Sequence, residues 1–308
     1  MNAVITPGQV QELLENSGFS PKLNSNGRSF SITACSDKEM IEVHYSGTCW
    51  ITLDMHLSIR DNGAASYQPW DLLKMNSKIY GPGRFIQKQY RAFGIRADVF
   101  SSGNTSALAD ALKVALDSIE HASTLCNGTN GRGAKRSHLD PTNVENIRAL
   151  CVEADWDFIE SHNGCAIRLK VPGGIYHAYI DVDKSGGYVI KVLLATIVDR
   201  DAISKDALSN MLLSVCSRIK MVRASGSDRD DGPEHVYFEC YLSQNASVLE
   251  ADLALSSLSV ACQSVRNEVE VMQSGVIAGE YLAFISWPSV KKKSLKERSK
   301  DHECNINT

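Results

Sequence analysis

Asp54 and His56 are the pair in this chain whose types and spacing best suit acid–base chemistry. They lie in Trp50 to Arg60, where Ile51, Leu53, Met55, Leu57 and Ile59 alternate with Thr52, Asp54, His56, Ser58 and Arg60. Period two gives a strand with one buried and one wet face, so a carboxylate and an imidazole beside the Thr52 hydroxyl could share a proton. The same alternation requires polar residues there without any chemistry, and a solvated face is the simpler reading. Asp181 and Asp183 could offer two carboxylates to a hard cation, but they run into Lys184-Ser185-Gly186-Gly187, the polar end of a hairpin. His162 with Cys165, and His302 with Cys304, could each supply half of a metal site, but zinc needs three or four ligands and no second pair has matching spacing, so chance placement is the simpler reading.

Two glycine-rich stretches complete the candidates. Gly128 to Ser137 holds the glycines, lysine and serine of a phosphate-binding loop, yet Ala134 separates Gly133 from Lys135 and the stretch follows a helical pattern rather than a strand. Ser225 to Gly232, with Asp228, Arg229, Asp230 and Asp231, is the most polar long loop and reads as a hairpin tip. Gly-x-Ser-x-Gly does not occur. No residue is therefore assigned a catalytic, cofactor-binding or metal-binding role, and the expectation is a non-enzymatic chain without a cofactor.

The whole chain sets the frame. Its 308 residues suit about two domains, each able to bury its own core. A net charge of -4 gives no electrostatic case for nucleic acid. Nine cysteines without a Cys-x-x-Cys pair, several at apolar positions of the patterns, imply a reducing compartment. With no basic, apolar leader at the N-terminus, the expected location is cytoplasmic. The late apolar run Val276 to Trp287 is too short to span a bilayer, so no membrane partner is expected.

The elements repeat. Thr6-Pro7 caps a short amphipathic helix carrying Val10, Leu13 and Leu14. Strands follow around Phe30–Ile32, Ile41–Tyr45 and Trp50–Arg60, then a helix through Trp70 and Leu73 stopped by Gly81-Pro82-Gly83, two strands over Phe85–Arg91 and Phe93–Phe100, and a long helix from Thr105. Residues 8 to 32 lie on residues 145 to 169 without a gap: Val10 meets Ile147, Leu13 meets Leu150, Phe19 meets Trp156, Phe30 meets Ile167 and Ile32 meets Leu169. Glycine turns then separate strands ending at Val171, Val182 and Ile197. A helix over Ile203–Ile219, strands Lys220–Ala224 and His235–Leu242, and a closing helix complete the second copy. The last match is shifted by four residues, with Asn104 meeting Asn245 and Leu112 meeting Leu253. The predicted fold class is α+β: two αβββαββα modules, each an antiparallel five-stranded sheet with helices on one face. The modules are placed at 6–122 and 142–272, joined by a linker at 123–141 and followed by an extension at 273–308. About 15 residues of such linker reach on the order of 20 Å, enough for side-by-side modules.

This order, with the helix ends Ser17-Gly18-Phe19 and Ala154-Asp155-Trp156, resembles the type III secretion chaperone-like fold, a superfamily that includes bacterial YbjN-like sensory regulators. The resemblance covers both modules and not the tail. It implies a single module that dimerises and holds an extended segment of another protein, so a fused pair implies a protein-binding tandem repeat, as an intrachain pseudo-dimer or a homodimer. The alternative from the residues themselves is a small-molecule-binding protein or enzyme with its site in the cleft between the modules. Val276 to Trp287 must bury its apolar residues on its own module or in a groove. Lys291 to Lys300, with six basic residues and one acid, reads as a solvated terminus.

Overall fold

The computed structural model describes residues 5–25, 27, 29–33, 40–45, 49–57, 67–101, 104–126, 141–161, 164–171, 174–183, 185–197, 201–227, 234–272 and 274–286. The first half runs α1 (Pro7–Asn16), β1 (Lys22–Leu23), β2 (Ser29–Thr33), β3 (Met40–Tyr45), β4 (Trp50–His56), α2 (Pro69–Asn76), β5 (Arg84–Gln89), β6 (Ala92–Phe100), α3 (Thr105–Cys126). The second runs α4 (Pro141–Glu153), β7 (Phe158–Ser161), β8 (Gly164–Val171), β9 (Gly174–Val182), β10 (Tyr188–Ile197), α5 (Ala202–Arg218), β11 (Val222–Gly226), β12 (Glu234–Leu242), α6 (Val248–Val271). A further helix, α7 (Gly275–Ser286), follows. The halves are built alike: each sheet is antiparallel, ordered β1-β2-β3-β4-β6-β5 and β7-β8-β9-β10-β12-β11. The five expected strands are present in each, and a short strand, β1 or β7, adds a sixth at the outer edge. Most of the linker lies outside the described residues.

The repeat reaches the backbone. Thr6 caps α1 with a reciprocal Thr6–Gln9 capping box, as Thr6-Pro7 foretold. That helix ends where Gly18 takes φ 87° and the Phe19 amide donates to the Leu14 carbonyl at 3.0 Å. In α4 Asp155 takes φ 53° and the Trp156 amide donates to the Cys151 carbonyl, also at 3.0 Å. A glycine or an aspartate tolerates this left-handed position, and the following aromatic packs on the core.

Strand register sorts the side chains. Ile32, Ile41, Met55, Ile95 and Phe85 lie opposite one another across the first sheet and are buried. Ile167, Ala178, Val192 and Phe238 do the same in the second. The long helices α3 and α6 cover these apolar faces. Cys151, Cys165, Cys216, Cys240 and Cys262 are free thiols packed in the cores, behaving as small apolar groups. Among the described residues only α6 is long and apolar enough to cross a membrane; here seven of its side chains face the second sheet and α5.

The halves join by an exchange of helices. α2 packs chiefly on β11 of the second half, α5 packs chiefly on β5 of the first, and the two helices touch. Each half therefore covers part of the other's sheet on the face opposite to the long helix. The Gly81-Pro82-Gly83 turn after α2 sits against α3, and a Cβ at Gly83 would fall 2.3 Å from Ser118 Oγ. Glycine is required there by that close approach.

Candidate functional site

The polar face of β4 leads into the junction between the halves. Asp54 is held by both ends of one guanidinium: Arg96 Nε donates to Oδ1 at 2.8 Å and Nη2 to Oδ2 at 2.9 Å. Burial would raise the Asp54 pKa, but Arg96, with smaller help from Lys88 and His44, holds it below the ordinary value. His56 does not face this carboxylate; its Nε2 lies 3.2 Å from Lys88 Nζ. Thr52 donates to Asp98 at 2.8 Å and accepts from Lys220 of the second half at 2.9 Å. The three candidates of β4 thus share a face, as their spacing predicts, yet each is engaged by a different partner. The face is not all wet, because Asp54 lies beneath the other half at 7% exposure.

Two buried pairs anchor this junction. Arg84 Nη2 meets Asp98 Oδ2 at 2.5 Å, both side chains 1% exposed. Arg84 Nε donates to the Cys216 carbonyl at 3.4 Å, and Arg96 Nη1 to that of Ser217 at 2.5 Å, at the end of α5. The Met221 amide donates to Asp98 at 3.1 Å. Burial alone would raise the Asp98 pKa; Arg84 and then Lys220, with hydrogen bonds from Arg84 and Thr52, pull it far below the usual carboxylate range. The counterpart is Arg223, bound to Glu239 at 2.8 and 3.0 Å, whose Nη1 donates to the carbonyls of Ile79, Gly81 and Gly83 at 3.0, 3.3 and 3.2 Å. In both halves an arginine tied to its own carboxylate reaches carbonyls of the other half, Arg84 in the last turn of α5 and Arg223 in the turn after α2. The turns after α2 and α5 also match in shape, Gly81 at φ 71° and Met221 at φ 66°.

Other candidates are placed as follows. Asp183 is buried, and its Oδ2 accepts from the Gly81 amide at 2.9 Å, a further link between halves, and from Ser185 N and Oγ at 3.0 and 2.5 Å. Asp181 is an exposed partner of Lys191 at 3.5 Å. Ser225 is buried in β11, donating to Glu239 at 2.7 Å. Cys165 is buried in the second core. His162, Gly128 to Ser137, Asp228 to Gly232, and His302 with Cys304 lie outside the described residues. Sequence reasoning passed over Arg84, Asp98, Arg223 and Glu239. Their signal was a charged residue inside an apolar strand, and Asp98 and Glu239 share the offset of Asn104 and Asn245.

Beyond the junction the described residues of this sheet face are partly or fully exposed in both halves, and here they diverge. In the first half the register sets Ser31 beside Glu42, and Glu42 beside Asp54, a polar row. In the second, Ile159 pairs Ala166, Ala166 pairs Tyr179 and Tyr179 pairs Lys191, a row continuing to Glu239 and Arg223 under the first half. Ile159, Ile175, Tyr179 and Leu193 are 54%, 59%, 52% and 41% exposed. The edge strand β7 borders this face.

Near the junction Glu250, in the first turn of α6, accepts from the Ser243 amide at 3.4 Å. Burial pushes its pKa from 4.5 up to about 7 against that hydrogen bond. A raised carboxyl pKa means the folded protein binds the proton more tightly than the unfolded chain, so this contribution to stability is present at low pH and is lost as pH rises through the folded pKa. Urea unfolding of the wild type is expected to show stability falling between pH 4.5 and about 7 from this group, and Glu250→Gln to flatten that segment. Superimposable profiles would show that the carboxyl is not held out of water.

No family model matches the chain. No curated protein matches it. Among solved structures, the crystal structure of YbjN from E. coli aligns with a TM-score of 0.33 and 15% identity, over 40% of this chain and 91% of that chain. A likeness at that score carries no argument about function.

Proposed function

We propose that this chain is a non-enzymatic protein-binding pair of modules that holds an extended segment of a partner protein on the open face and β7 edge of its second sheet. The observation that supports it is the contrast between matching rows of two sheets of equal topology, polar through Ser31 and Glu42 in the first half and apolar through Ile159, Ala166 and Tyr179 in the second. The contiguous apolar row Ile159, Ala166 and Tyr179 offers an area gain on binding, and an edge strand offers unpaired backbone groups for an added strand. A segment with alternating apolar residues fits both, since a strand presents every second side chain to one face. A junction that closes the two halves into an intrachain pseudo-dimer leaves this face as the surface for a partner. The polar residues considered for acid–base or cation chemistry are held instead by Arg96, Lys88, Gly81, Ser185 and Lys191.

Selection from a displayed library of extended peptides tests this. Enrichment of alternating apolar sequences is expected, with binding weakened about tenfold or more by Tyr179→Lys, since burying a lysine ammonium without a partner is unfavourable. Ser31→Lys, on the equivalent face of the first half, leaves binding unchanged. A library without enrichment, or peptides held equally by Tyr179→Lys, would overturn the reading. If Tyr179→Lys instead turns a homodimer into a monomer in sedimentation, the face belongs to a second copy of the chain.

A further inference from the structure

A groove of about 320 Å³ opens where the β5–β6 hairpin of the first half meets the end of α5 and the helix α7 of the second. Its rim carries Lys88 and Tyr90 from the hairpin, Arg218 from α5, and Tyr281, Phe284 and Ile285 from α7. None of its lining residues is acidic, although the chain as a whole is negative by 4 charges. Among the described residues no carboxylate pairs with Arg218 or Lys88 within 4.0 Å; Lys88 has His56 beside it instead. The end of a helix would ordinarily repel an anion through its free carbonyls. Here those of Cys216 and Ser217 are already taken by Arg84 and Arg96.

Opposite the cations stands an apolar wall. Phe284 is 77% exposed at the groove, while Ala278 on the same helix is fully buried, so α7 docks by one side and turns the ring of Phe284 outward. Tyr281 and Arg218 line the same groove; burial raises the Tyr281 hydroxyl pKa, and the Arg218 charge acts in the other direction. A cationic side, an apolar side and a volume at the small end of ligand sites define the chemistry of the occupant.

We propose that this groove binds a small carboxylate with an apolar body, its head between Lys88 and Arg218 and its body on Tyr281, Phe284 and Ile285. The site is separate from the open face of the second sheet. Its occupant would touch the first half, α5 and α7 at once and so couple the terminal helix to the junction. A free metabolite and the C-terminus of a peptide share this chemistry.

Titration calorimetry on the full chain with octanoate, and in parallel with a short peptide ending in phenylalanine as free acid or as amide, tests the proposal. Saturable octanoate binding is expected, with octylamine binding at least about tenfold more weakly, because charge-assisted contacts to a guanidinium are lost. Arg218→Ala and Lys88→Met should each weaken octanoate by about tenfold, and Phe284→Ser by about fivefold. Arg218 and Phe284 are exposed, so circular dichroism should confirm unchanged folding. Tighter binding of the free-acid peptide than of octanoate, with loss in the amide, identifies a protein C-terminus as the source. Absence of saturation by octanoate and by the free-acid peptide, or affinities indifferent to Arg218→Ala and Lys88→Met, overturns the site. Peptide selection on Tyr179→Lys is unaffected by either result, so the two readings fail separately.

Discussion

Replacing Asp98 by alanine should destabilise the protein by about 3–5 kcal/mol, the range for removing one partner of a buried ion pair. Arg84 is 1% exposed beside it, and without the carboxylate its charge stays in the interior with only the Cys216 carbonyl at 3.4 Å as partner. Lys220 and the Met221 amide lose the same acceptor, so the second half is loosened as well as the first. Urea unfolding of Asp98→Ala measures the loss. Pairing it with Arg84→Met should recover part of it, because a buried pair exchanged for apolar groups leaves no orphaned charge. Glu42→Ala on the open face serves as the control, expected within about 0.5 kcal/mol of wild type. A loss below about 1 kcal/mol in Asp98→Ala would mean that Arg84 reaches water. The acid side follows: Asp98 is held well below its ordinary pKa, so its contribution is present above the unfolded value and declines as pH falls. That trend is opposite in sign to the one from Glu250.

Cutting the chain in the linker should leave the halves associated. A protease site placed within residues 127–140 would sever the peptide chain between them. What remains includes the exchange of α2 and α5, the arginine contacts in both directions, the Lys220 to Thr52 bond and the Asp183 to Gly81 link. In the intact chain the linker keeps the halves at millimolar effective concentration, which masks a weakened interface. After cleavage, dilution reveals it. Gel filtration at micromolar concentration should give one peak containing both fragments for the wild type, and two for Arg223→Ala, which loses the contacts to Ile79, Gly81 and Gly83. Separate elution of the wild-type fragments would show that the tether alone holds the halves together.

Much of the architecture could be read along the chain because it depends on local periods. The alternation of Ile51, Leu53 and Met55 places them on one face whatever lies above it. The gap-free match between residues 8–32 and 145–169 meant that a feature at Gly18 recurs at Asp155, and both take the left-handed backbone. The short strand β1 escaped because two residues carry no period. The exchange of α2 and α5 escaped for another reason: an amphipathic helix shows that it must cover an apolar surface, not whose surface it is. Of Val276 to Trp287, the described residues form α7, which buries Ala278 while its Phe284 borders a groove shared with the first half; Trp287 lies outside the described residues.

The polar face of β4 shows where sequence ends and tertiary structure begins. By itself the chain determined that Thr52, Asp54 and His56 share a face, because successive side chains of a strand alternate. It also determined that two copies of one α+β module follow each other. Only the packing of the halves decided that Asp54 and Asp98, paired with Arg96 and Arg84 inside the first half, are buried beneath the second, while Ile159 and Tyr179 on the matching face remain in solvent. The reason is physical: hydrophobic periodicity records burial against a chain's own neighbours, whereas the burial of these ion pairs is fixed by contacts across more than a hundred residues of sequence, such as Arg84 with the Cys216 carbonyl.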